Sequence, residues 1–223
     1  MREIVLDTET TGLDPAAGHR IVEIGCIELV NHIATGRHFH TYVNPDRDMP
    51  TGAFEIHGLS TEFLAAHPTF DLIAERFLAF IGDAPLVIHN AEFDMRFINA
   101  ELSRLGRPAI PAVRAVDTVR MARMKFPGAQ ASLDALCRRF GIDNSARTKH
   151  GALLDAELLA EIYLELIGGR QPGLALAREI QAAAEVPVQT ARPVRPHAPS
   201  EAELAAHAAF LQQYLKEPIW LLT

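Results

Sequence analysis

The chain has 223 residues, 48% hydrophobic and 22% charged, a balance typical of folded globular domains that leaves room for one main domain and a smaller extension. No apolar run approaches the roughly 20 residues that span a bilayer, and no basic, apolar and small-residue export pattern opens the chain, so a cytoplasmic protein without a membrane partner is expected. The formal charge of −7 argues against a broadly basic nucleic-acid surface, although bound divalent cations would invert the sign locally.

Residues 3–6 read as a strand ending at Asp7. Residues 20–30 read as a second, with Ile21, Glu23, Gly25, Ile27 and Leu29 on one face and Val22, Ile24, Cys26, Glu28 and Val30 on the other. Asn31 and His32 turn the chain into a third strand over about residues 38–43, making an antiparallel ribbon. Helical patterns follow near residues 52–56, 61–66 and 71–82, then a short strand at 85–89 feeds a helix over 91–105. A strand at 113–116 precedes helices near 118–125, 132–140 and 151–167. Antiparallel strands first and strand–helix alternation later predict an α/β fold, a mixed five-stranded sheet flanked by helices. Cys26 and Cys137 lie far apart in apolar settings, as buried free thiols do.

Composition shifts after residue 170. Residues 171–199 are rich in alanine and proline and read as a flexible linker, while residues 200–223 hold one short helix with a capping box, Ser200 and Glu203. Leu204, Ala208, Leu211 and Leu215 fall at helical spacing there. A lone amphipathic helix cannot bury its own apolar face, so it either folds back or binds a partner protein; the long tether favours the partner.

Asp7 and Glu9 stand two apart, on one side of a strand if it continues through Thr8. Counting from Asp94, Phe97, Ile98, Leu102 and Leu105 form the apolar stripe of its helix, and Asp155 shares a stripe with Leu158, Leu159, Ile162 and Leu166. Each acid therefore lies on a face that should be buried, and neither stripe holds a Lys or Arg. A buried carboxylate without a partner costs several kcal/mol. Acids converging from a strand and two helices without matching bases are best rationalised by two hard cations, Mg²⁺ or Mn²⁺, which prefer oxygen ligands and displace phosphate esters in line. His150, on the loop entering the last helix of this region, is placed to take a proton from water.

The stretches VLDTETTG, HNAEFD and KHGALLDA resemble the three motifs of the DEDDh group of 3′–5′ exonucleases. The likeness covers about the first 170 residues and implies an RNase H-like fold. It also implies that Asp7 bridges both metals, Glu9 and Asp155 hold the ion bearing the attacking water, Asp94 serves the second ion, and His150 is the general base. His57, in FEIHG, is implied to line the groove for the 3′ nucleotide beside Asp7, Glu9 and Asp155. Proofreading members commonly carry an acid near the position of Gly52, so this chain departs from the pattern there. The implied partners are a single-stranded DNA 3′ end and a polymerase subunit held by the C-terminal segment, with Trp220 as anchor. Gln171, Leu174 and Leu176 resemble a short sliding-clamp motif. RNA or short oligonucleotide ends are the alternative substrate, because the motifs specify hydrolysis and not the sugar.

Overall fold

The computed structural model describes residues 1–168 and 198–214. The chain divides into two compact units, Met1–Gly173 and Leu174–Thr223.

The first unit is built on a five-stranded sheet in the order β3-β2-β1-β4-β5. Strands β1 (Arg2–Thr10), β2 (Ile21–Val30) and β3 (Ile33–Tyr42) are antiparallel neighbours, and β4 (Leu86–Ile88) and β5 (Ala115–Asp117) add parallel strands. The first strand runs past Asp7 to Thr10, so the acids stay in register, Asp7 opposite Gly25 and Glu9 opposite Glu23, before a bulge at Glu9/Thr10. The third strand starts at Ile33 and not near residue 38, because Asn31 and His32 both adopt positive φ, 51° and 66°, and form a tight hairpin turn. Its first six residues are exposed, which left no alternation to read.

Helices cover both faces. Those introduced first are α1 (Thr51–His57), α2 (Thr61–Ala65), α3 (Phe70–Ile81) and α4 (Ala91–Arg104). Ile4, Leu6, Ile24 and Cys26 pack with Phe77 of α3 and Phe97 and Ile98 of α4 in one core. On the other face Val5 and Ile27 pack against α5 (Thr118–Lys125), α6 (Leu133–Phe140) and α7 (Ala152–Leu166). Both cysteines are buried and unbonded.

Two buried ties fix the helices that carry acids. Arg20, entering β2, donates to both oxygens of Glu101 on α4 at 2.7 and 2.8 Å. On α7 the Tyr163 hydroxyl donates to Glu3 of β1 at 2.7 Å. Of the α4 stripe, Leu105 is 37% exposed, since it caps the helix instead of continuing it; the rest is buried, as is the whole α7 stripe.

In the second unit, α8 (Glu201–Tyr214) begins with the expected capping box: the Ser200 N–H donates to Glu203 Oε2 at 2.8 Å and the Glu203 N–H to Ser200 Oγ at 3.3 Å. Leu211 is buried but Leu204 is 53% exposed. Gln171, Leu174, Leu176, Leu215 and Trp220 lie outside the described residues, as does most of the expected linker. Among the described residues no helix is long and apolar enough to cross a membrane.

Candidate active site

Gly25 sets the position of the third motif. A Cβ there would lie 2.3 Å from the carbonyl of Ala152, so only glycine lets the first turn of α7 rest on β2, directly across from Asp7. Asp155, one turn into α7, is delivered to the sheet at 4% exposure. His150 lies just before the helix, half exposed, with its N–H bonded to the Ile56 carbonyl at 3.2 Å. One ligand atom each from Glu9, His150 and Asp155 lie within 4.8 Å of one another. Asp7, His150 and Asp155 line one cavity of about 440 Å³.

Asp94 arrives from the other helical layer. At 3% exposure on α4, it accepts a 2.7 Å hydrogen bond from the Thr8 hydroxyl. Thr8 is thus more than a spacer: the residue that faces away from Asp7 and Glu9 holds the fourth acid at the same strand end.

The electrostatics record the crowding. Burial, then the charges of Asp94, Glu9, Asp155 and Glu23, pushes Asp7 well above the usual carboxylate range. Burial and the charges of Asp155, Glu23 and Asp94 raise Glu9 to about 8. Asp94 rises to about 7 through burial, which the Thr8 hydrogen bond only partly offsets. Such acids cannot ionise together without added positive charge. All-oxygen donors supplemented by one imidazole suit hard divalent ions, so the residues fit Mg²⁺ or Mn²⁺.

One expectation is corrected. Asp155 does have a basic partner, which the helix stripes could not reveal because it comes from the preceding loop. Arg147 donates through Nε and Nη2 to both oxygens of Asp155, at 2.5 and 2.7 Å, and through Nη1 to Asp134 at 2.9 Å. Burial works against ionisation of Asp155, yet the hydrogen bonds from Arg147 and His150 hold it below the usual range. Arg147 therefore satisfies one acid and leaves Asp7, Glu9 and Asp94 in excess. Replacing it with Ala should destabilise the metal-free chain by about 3–5 kcal/mol, the cost of stranding one partner of a buried pair, and tighten Mn²⁺ binding. Urea unfolding in chelator and a Mn²⁺ titration check the two halves.

A second cavity, about 600 Å³, lies beside Glu9 and is walled by Thr10, Gly52, His57 and Phe93. His57 is buried; its Nδ1 accepts the Leu59 N–H at 3.1 Å, which leaves Nε2 to carry the proton. A Cβ on Gly52 would meet nothing within 4 Å, so no steric demand explains this glycine. His89 bonds Thr118 Oγ1 at 2.9 Å, a supporting contact between the α4 and α5 segments, while also lining the carboxylate cavity. Sequence reading missed Arg147 and Asp134, which sit in a loop and on a helix flank without periodicity, and the site-facing role of Glu23, which its alternation with Gly25 could have signalled.

The sequence pattern of the exonuclease family RNase_T matches residues 4–163. The chain is similar to the DNA polymerase III subunit epsilon of Rickettsia felis, 52% identical over 97% of this chain and 98% of that protein. It is also 45% identical to that of Escherichia coli, over 97% and 94%. In fold it is similar to the nuclease domain of 3′hExo, a DEDDh family member solved with bound rAMP, with a TM-score of 0.65 and 18% identity over 75% of this chain and 92% of that one. On the match over residues 4–163 and the near full-length relatives, the chain belongs to the RNase_T exonuclease family, in the group of DNA polymerase III epsilon subunits.

Proposed function

We infer that this protein is a 3′–5′ exonuclease that removes misincorporated nucleotides from the 3′ end of single-stranded DNA, as the proofreading subunit of a replicative polymerase. The observation that carries the reading is the convergence of Glu9, His150 and Asp155 within 4.8 Å, the last two lining one cavity with Asp7. Two Mg²⁺ or Mn²⁺ ions, when bound, supply the positive charge that activates water and offsets the charge of the scissile phosphate. Asp7, Glu9, Asp94 and Asp155 would hold them. His150, exposed at the mouth, takes a proton from the attacking water. The cavity beside Glu9, with His57 and Phe93 in its walls, receives the terminal nucleoside and fixes the phosphate over the carboxylates. An adaptable apolar wall suits any base, as proofreading demands.

The exposed Leu204 and Phe210 of α8 support a polymerase-binding tail with Trp220 as a further anchor. Gln171, Leu174 and Leu176 are proposed to touch the sliding clamp. A cytoplasmic location follows from these partners. Three 3′-labelled substrates of equal length, mismatched primer–template DNA, matched DNA and RNA, test the reading in Mg²⁺. The mismatched end should be shortened fastest; RNA degraded faster than either DNA would overturn it. Deletion of residues 200–223 should leave hydrolysis of single strands intact and abolish co-purification with the polymerase subunit.

A further inference from the structure

The carboxylate cavity adjoins a third one of about 790 Å³: His89, Asn90 and Ser132 line both. The far wall of this groove is α5, which presents Arg120 and Arg123, three residues apart and therefore on one side of the helix. Both are exposed, and among the described residues neither guanidinium has a hydrogen bond or ion pair. Arg2, Arg20 and Arg147, by contrast, are each held by a carboxylate. Neither acid in the same wall is bonded to their guanidiniums: Asp117 caps α5, accepting the N–H groups of Val119 and Arg120 at 2.8 and 3.3 Å, and Glu92 projects from α4. Asn90, at the junction, holds a left-handed φ of 65° without capping α4. In a chain of charge −7, two unpaired arginines beside an acidic centre form a local phosphate track.

We propose that this groove binds the phosphates of the nucleotides upstream of the scissile bond, with Arg120 and Arg123 as their contacts. The proposal rests on the exonuclease reading, which places the terminal nucleoside in the cavity beside Glu9. The strand then leaves across the carboxylates on the opposite side, where His89, Asn90 and Ser132 form the floor. Phosphate contacts of this kind position a strand without reading its sequence, as a proofreader requires.

The test uses the full chain with both arginines replaced, Arg120→Ala with Arg123→Ala, and a second pair, Arg120→Lys with Arg123→Lys. Binding of a fluorescein-labelled ten-nucleotide thymidine strand is followed by anisotropy in chelator at several salt concentrations. Loss of two phosphate contacts should lower the slope of log affinity against log salt by about 1.4, roughly 0.7 per contact, and the lysine pair should restore it. Hydrolysis of the p-nitrophenyl ester of thymidine 5′-monophosphate, which has no upstream nucleotide, should be unchanged in the alanine pair while KM for the strand rises. An unaltered slope, or equal losses on ester and strand, overturns the proposal. Failure of the unsubstituted chain to hydrolyse the ester would count against the exonuclease reading alone, because the binding slope needs no turnover.

Discussion

Asp7→Asn is expected to lower kcat on a DNA 3′ end by roughly 10³-fold or more, the equivalent of several kcal/mol of lost charge stabilisation in the transition state. The size follows from position. Asp7 lies at the centre of the acids, and its ionisation is opposed by Asp94, Glu9, Asp155 and Glu23 together. The substitution removes one negative charge from this crowded group and keeps the side-chain volume, so the fold should persist. Steady-state kinetics with circular dichroism check both points; an active, folded variant would remove Asp7 from the chemistry.

His150→Ala carries the second large effect, a fall in kcat of about 10²–10⁴-fold, as for loss of a general base. The ring's closeness to Glu9 and Asp155 permits a different role, as a metal ligand. Mn²⁺ affinity separates the two. A base leaves affinity unchanged while turnover collapses, whereas a ligand weakens both. The half-exposed ring, anchored through its backbone N–H to Ile56 at the end of α1, favours the base.

Much of this site was legible because helices and strands impose periods. Asp94 and Asp155 stood out as charges on apolar stripes, and both proved buried on helices that end within a residue or two of their expected limits. Alternation placed Asp7 with Glu9, and the pairing with β2 kept them in register. What escaped has no period. Arg147 reaches Asp155 from an irregular loop, outside the helix stripes on which a matching base would show. Thr8 was expected to face away, which it does, but its bond to Asp94 depends on how two layers meet at a sheet end. The early start of β3 was hidden because its outer half is solvent-exposed and carries no hydrophobic signal. Gly25 is a different case. A glycine inside an otherwise apolar strand can mark a close backbone approach, here to Ala152, but the sequence places Gly25 only on a strand face, and its tie to the third motif emerges from the packing of α7 on β2.

The raised acids link stability to pH. Burial and neighbouring charge lift Glu9 from 4.5 to about 8 and Asp94 from 3.8 to about 7, so from about pH 4 to 8 the metal-free folded chain holds more protons than the unfolded chain. Stability from these groups is therefore fullest below the unfolded values and is lost as pH rises through 7 and 8. Divalent ions would replace the protons, and the gain in Tm on adding Mn²⁺ should grow over the same interval.

Calorimetric titration of the chelator-stripped chain with Mn²⁺ at pH 8, alongside Asp7→Asn, is the most direct test of the carboxylate cage. Two ions per chain, with at least one lost in the variant, is the predicted result. No binding, or the same isotherm for both proteins, would contradict a cation site built on Asp7.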